Sequence, residues 1–342
     1  MNKIMTAGAA LLMTTSIAAA GGLDRSGQGI GIIFEEGDYA ELSFGSVSPS
    51  VSSTALGGDN MAASYTQLGL GYRKQINDSV ALALIFDQPF GSDVAYVGLP
   101  IAGIVDSASI TALGQYQVNE NVSVHAGLRY LETSGELTLG AFVNTYETGT
   151  GTGYVLGAAY ERPDIALRVA LTYSSAIDIE LDGITLPTTL SAAFPESVNL
   201  DFQTGVATDT LVFGSIRWAE WSQASLTESN GAVGQFYAPS NDAFTYNVGV
   251  GRRFSESFSG SLSVGYEKAQ GGLASAFSPT DGYVSLQVGG AYTMDNGVEI
   301  SGGVRYIQIG DATGDLTKFG AGTPEFADNS AIGIGLKVAY NF

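Results

Sequence analysis

The stretch Ala331-Ile-Gly-Ile-Gly-Leu-Lys-Val-Ala-Tyr-Asn-Phe342 decides how the whole chain is read. Ile332, Ile334, Leu336, Val338, Tyr340 and Phe342 fall at every second position, opposite Gly333, Gly335, Lys337 and Asn341. A period of two places the first set on one face of a β-strand. An apolar face finished by aromatics, backed by glycine and polar residues, is the pattern of a strand lying between lipid and a polar barrel interior. A strand in lipid cannot leave its edge unpaired, so 329–342 is expected to close a ring by pairing with the first strand.

Working outward, the same alternation recurs over 39–48, 63–74, 79–88, 107–118, 121–133, 152–161, 165–175, 196–206, 210–221, 243–254, 257–268, 282–294 and 297–309. With the closing stretch this makes fourteen strands, an even number, as a single-chain bacterial barrel has. Connection lengths sharpen the expectation. Tight turns at Gln75–Asp78, Asn119-Glu120, Arg162–Asp164, Thr208-Asp209, Ser255-Glu256 and Asp295-Asn296 carry the Asn, Asp, Pro and Ser that turns favour. They alternate with long connections near 49–62, 89–106, 134–151, 176–195, 222–242, 269–281 and 310–328. Short turns at one end and long loops at the other match an outer-membrane barrel. The predicted fold is all-β: a fourteen-stranded antiparallel transmembrane barrel over 38–342.

Composition agrees. The 342 residues include 46 Gly, 17 Tyr, 16 Phe and no Cys, which excludes disulfides, thiolate metal sites and a lipoprotein anchor. The net charge of −20 argues against nucleic acid as a partner. Residues 1–20 read as a secretory signal, with Lys3, an apolar run through Leu11-Leu12 and cleavage after Ala20. Residues 21–37 are too irregular for a strand and too glycine-rich for a helix. They are expected to form a short luminal plug.

Two sets of residues stand out as candidate ligand contacts. A hydrophobic carboxylate entering a partly dry lumen needs a cation, and inward-facing Arg129, Arg168, Arg217 and Arg305 offer bidentate partners. The competing reading pairs these arginines with inward acids such as Glu41, Asp201, Glu267 and Glu299, since buried charges are normally matched. Ile33 and Phe34 in the plug, with Ile101, Phe236 and Phe277 in long loops, are too apolar for solvated segments. They suit a capture surface or packing on one another. The lone histidine, His125, has Ser123 nearby but no sequence sign of a third catalytic group. Acids in the last long loop (Asp311, Asp315, Glu325, Asp328) read as a solvated face, or as a cation bridge to lipopolysaccharide.

Several pieces in order resemble the FadL/TodX type of outer-membrane transporter for long-chain fatty acids and other hydrophobic compounds. They are Leu70-Gly71-Tyr72-Arg73 with Pro89-Phe90-Gly91, Asn119–Val124 with Gly127–Tyr130, Leu171–Ser175 with Pro195-Glu196, and Trp218-Ala219-Glu220-Trp221-Ser222-Gln223. The resemblance implies a hatch inside the barrel, a greasy luminal site, sideways release through the wall and a monomer in the outer membrane. No P-loop, no Rossmann fingerprint in a strand–helix context and no zinc spacing occurs, so neither enzymatic activity nor a cofactor is expected. Passive uptake of long-chain fatty acids or similar molecules is the expected function; the alternative is a general diffusion porin for small polar solutes. Expected partners are the hydrophobic ligand, outer-membrane lipid with lipopolysaccharide, and the barrel assembly machinery acting on Phe342. The family's Asn-Pro-Ala stretch is missing here, and only Gly21–Gly37 is available as a hatch.

Overall fold

A computed structural model describes residues 23–342; the signal reading of 1–20 lies outside the described residues. Fourteen strands form the barrel: β1 Tyr39–Ser50, β2 Tyr65–Asn77, β3 Val80–Asp87, β4 Ile101–Asn119, β5 Val122–Leu139, β6 Phe142–Arg162, β7 Leu167–Ser174, β8 Ser197–Ala207, β9 Thr210–Ala219, β10 Ala243–Arg253, β11 Phe258–Glu267, β12 Tyr283–Thr293, β13 Val298–Ile309 and β14 Ser330–Asn341. Each pairs antiparallel with the next. The ring closes where Tyr39 meets Asn341 and Leu42 meets Val338, joining β1 to β14.

Alternation sets the faces. Leu128 is 69% exposed while its neighbour Arg129 is 3% exposed. A bare leucine beside a buried arginine is stable only where the outside is hydrocarbon. The same inversion runs around the ring, with Leu42, Leu70, Val248, Leu262, Val304 and Ile334 exposed and Ser123, Ser259, Ser285 and Ser301 buried. The chain is a transmembrane β-barrel of outer-membrane type. Among the described residues no helix is long and apolar enough to cross a membrane.

Short turns are built by side chains that satisfy turn backbone. Asn77 Oδ1 accepts from the amides of Ser79 and Val80, and Asn119 Oδ1 from those of Asn121 and Val122. Asn296 Oδ1 accepts from Val298 N, and Asp209 takes the left-handed conformation at φ 57°.

The long-loop end is more ordered than the sequence suggests. The connection expected over 134–151 is mostly strand: β5 runs to Leu139, turns at Gly140 (φ 64°), and β6 begins at Phe142. β4 starts at Ile101 rather than near 107. The outward threonines and glutamates of β5 and β6 here hide the alternation because they meet water, not lipid. Ile177–Asp182, Thr189–Phe194, Ser225–Glu228 and Gln235–Tyr237 make a second sheet, and Leu273–Ser275, Ala312–Asp315 and Glu325–Phe326 a third. With the ends of β1, β4, β5 and β13 they enclose a core containing Phe90, Trp221, Tyr237, Leu316 and Phe326. This core roofs the barrel. Trp221, expected on a strand, leaves β9 in a single 3-10 turn and is buried in the roof.

Candidate functional site

The N-terminal segment lies against inward-facing side chains along much of the lumen. At the long-loop end Leu23 is buried in the roof core, and Asp24 forms an isolated bridge with Phe90. Asp24 takes both Nε and Nη2 of Arg217 at 3.2 Å. Arg217 also donates to Ser197 Oγ (2.8 Å) and Asn199 Oδ1 (2.9 Å). Gln28 reaches Ser197, Gly27 accepts from Asn199, and Ser26 donates to Asp87 (2.6 Å). Toward the short-turn end, Gly31–Phe34 coil into a 3-10 turn that buries Ile32 and Ile33. Arg73 donates to the carbonyls of Ile33 (3.0 Å) and Gly37, and Asn341 to that of Glu36 (2.6 Å). Although part of Glu35's surface stays exposed, burial pushes its carboxyl up from 4.5 to about 7; Lys337 and Arg168 oppose the rise while Glu41 and Glu299 add to it.

The predicted site residues divide into three places. Ile33 and Phe34 sit in the lower lumen, where Phe34 meets the edge of His125 (5.6 Å between rings) and lies under the Arg168 guanidinium (4.9 Å). His125 Nε2 is 3.1 Å from Thr172 Oγ1. Arg129, Arg217 and Arg305 are buried farther toward the roof. Arg129 donates to Thr111 (2.8 Å) and Ser174 (3.3 Å), both hydroxyls, and Arg305 to Ser285 (3.0 and 2.8 Å). Ile101, Phe236 and Phe277 belong to the roof. Phe277 stacks edge-on to Phe236 (5.1 Å) and covers Gly103, where a Cβ would come within 2.3 Å of its ring. Beside them is a cavity of only about 10 Å³. These aromatics therefore pack on one another. A strand acid, Glu41, is matched by Lys337 rather than by one of these arginines (3.2 Å), and Arg217 takes its acid from the N-terminal segment.

The wall itself is broken at one place. The β2–β3 ladder ends at Leu70 opposite Phe86, yet β2 continues along β1 as far as Tyr65 opposite Val47. Beyond Asp87 comes Gln88-Pro89-Phe90. Proline has no N–H to give a ladder and breaks the strand. The chain rejoins the sheet at Gly91–Ala95, paired with β4 from Gly91–Asp106 to Ala95–Ala102. Side chains and the N-terminal segment satisfy the backbone groups stranded by the break. Leu68 N donates to Gln88 Oε1 (2.8 Å), Arg25 N to Pro89 O (2.7 Å) and Gly91 N to Leu23 O (2.8 Å).

A cavity of about 150 Å³ lies at this break. On the luminal side it meets Ser26, Gly29, Ser43, Asp87 and Lys337; on the lipid side it meets Phe44, Leu68, Leu70, Phe86 and Leu336. Small residues leave the room: a Cβ on Gly69 would come within 2.4 Å of Ser43 Oγ. Arg25 stands next to the break, with its guanidinium 4.3 Å from the centre of the Tyr65 ring on β2 and bonded to Asp106 on β4 (3.1 Å). Sequence reasoning missed Asp24 and Arg25. The local hint was two adjacent, opposite charges at the start of a glycine-rich and apolar stretch.

No protein-family model matches the sequence, and no curated protein matches it. Solved structures do. A Pseudomonas aeruginosa FadL homologue superposes with a TM-score of 0.74 at 15% identity, covering 91% of this chain and 92% of that one. The P. putida toluene transporter TodX gives 0.66 at 13% identity (90% and 91% covered), and the CymD monoaromatic hydrocarbon channel 0.63 at 16% (90% and 89%). At such identities the likeness establishes the fold, that of a FadL/TodX-type barrel.

Proposed function

We propose that this barrel admits hydrophobic molecules such as long-chain fatty acids across the outer membrane without energy input, and releases them sideways through the wall. The observation that carries this reading is the cavity at the Pro89 break, which has luminal residues on one side and lipid-facing leucines and phenylalanines on the other. A polar solute gains nothing from such a passage; an apolar one stays out of water throughout. The FadL homologue, the toluene transporter TodX and the monoaromatic hydrocarbon channel CymD share the architecture and support the reading. Residues 23–37 act as the hatch, and the roof around Ile101, Phe236 and Phe277 opens to admit ligand. Ile33, Phe34 and Arg168 line the lower luminal site. Arg217 becomes available only when Asp24 leaves, while Arg305 extends the cationic surface. Arg129, whose hydrogen bonds go to neutral hydroxyls, is the anchor for a carboxylate.

Uptake of labelled oleate beside a polar sugar, in cells lacking their own transporter, tests this. Oleate entering without the sugar is the expected result; equal entry of both would make the barrel a general porin. Arg129→Gln is expected to slow oleate roughly tenfold, the loss of about 1.4 kcal/mol, while leaving an uncharged hydrocarbon unaffected.

A further inference from the structure

Below the wall break, on the lipid face, a groove of about 510 Å³ runs toward the short-turn end. Its geometry follows from register. Across three neighbouring strands the outward residues read Tyr340, Ala40, Tyr72. One small residue thus separates two rings that stand two strand spacings, roughly 10 Å, apart. The next outward row toward the roof reads Val338, Leu42, Leu70, Phe86, and it forms the greasy floor that leads up to the break. Leu70 and Phe86 line both this groove and the cavity that crosses the wall. The two spaces are therefore neighbours that meet at these two side chains.

We propose that this groove is an exit slot. It takes the hydrocarbon chain of the transported molecule as it emerges at the break and guides it into the periplasmic leaflet. The inference rests on the sideways release proposed above. The slot is the size of a small-molecule site, a few hundred Å³ with apolar walls, and is wide enough for one alkyl chain between the Tyr72 and Tyr340 rings. The tyrosines stand at the short-turn end, where aromatic girdles meet the membrane interface. A chain in the slot therefore runs parallel to lipid tails, with its polar end brought to the headgroup level. Release becomes a slide along protein rather than a step into bulk lipid.

Filling the slot tests this. Ala40→Trp places a ring between the two tyrosines on a surface that only lipid touches; Ala158→Trp places one between Val124 and Leu171 on the lipid face of β6, away from the slot. Oleate binding by purified protein in detergent and oleate uptake by cells are measured for each. Ala40→Trp is expected to leave binding unchanged and slow uptake about fivefold, equivalent to roughly 1 kcal/mol of barrier. Ala40→Leu should fall between it and the parent, and serves if the tryptophan variant assembles poorly. Ala158→Trp should match the parent in both assays. Parental uptake by both Ala40 variants, equal slowing by Ala158→Trp, or loss of binding by Ala40→Trp would each overturn the slot. If the unaltered protein neither binds nor admits oleate, the proposed function fails first and the slot with it.

Discussion

The two halves of the N-terminal segment are held in opposite ways. Leu23–Gln28 is clasped by charge and by backbone pairing with the break: Asp24 with Arg217, Arg25 with Asp106, and amide bonds to Pro89 and Gly91. Residues 30–37 are held by buried isoleucines and by carbonyl bonds to Arg73, against the cost of burying a carboxyl that is driven toward its neutral form. The difference teaches which half can move alone. A buried ion pair is costly to break one-sidedly, whereas an apolar half yields to ligand that offers equivalent contacts. Hydrophobic ligand is therefore expected to displace the lower half first.

The comparison can be broken most sharply at Arg217. Its pair with Asp24 is buried, with side chains 9% and 7% exposed. Arg217→Met should cost about 3–5 kcal/mol, because Asp24 is left buried and unmatched. Limited trypsin cleavage at Arg25 should then become fast, and adding Asp24→Asn should restore much of the protection. If Arg25 stays protected in the single variant, charge does not hold the upper half. Ile33→Ala should cost about 2–4 kcal/mol through the cavity it leaves. Hydrogen exchange should rise over 30–37 and not at Gly91; a rise at both places would make the segment one cooperative unit.

Acidity acts on the lower half through Glu35. Because the seated segment raises Glu35 from 4.5 to about 7, it binds a proton that the released segment gives up. Seating is strongest below about pH 4.5 and weakens as pH rises through about 7. The change is about 1–2 kcal/mol, from roughly 1.4 per pH unit reduced for partial exposure. Glu35→Gln should flatten the profile, and an unchanged profile would place the titrating group elsewhere. The smallest effect is expected at Arg25–Asp106, since the Asp106 side chain is 61% exposed. Asp106→Asn or high salt should loosen the upper half by about 0.2–1 kcal/mol, read by the same cleavage assay.

The barrel was legible because its signals are local. Period-two alternation against lipid and Asn or Asp in tight turns depend on neighbours a few residues apart, and every expected strand is found. The roof was harder to read. Where β5 and β6 continue beyond lipid, their outward face carries Glu136, Thr138, Thr145 and Glu147, so 134–151 loses the contrast that marks a strand. The site was least legible, because its contacts join distant residues. Asp24 and Arg217 are 193 positions apart, and nothing near either residue announces the other. Pro89 could be seen to break a strand, but the space it opens depends on Gly69 and Ser43 across the gap. Phe236 and Phe277 left two readings open, a capture surface or packing on one another, and no local pattern in the sequence says which rings meet.

The seam between β1 and β14 also sets an order in time. Every other ladder in the ring joins sequence neighbours, whereas this one unites opposite ends of the chain and must overcome the closure of nearly its whole length. The same last strand supplies the contacts that fix the root of the N-terminal segment, through Asn341 to Glu36 and Phe342 N to Asp38 O. Residues 36–38 thus gain these contacts only when the final strand arrives, and a barrel still open at its seam would hold the root of the N-terminal segment through Arg73 and Lys74 of β2.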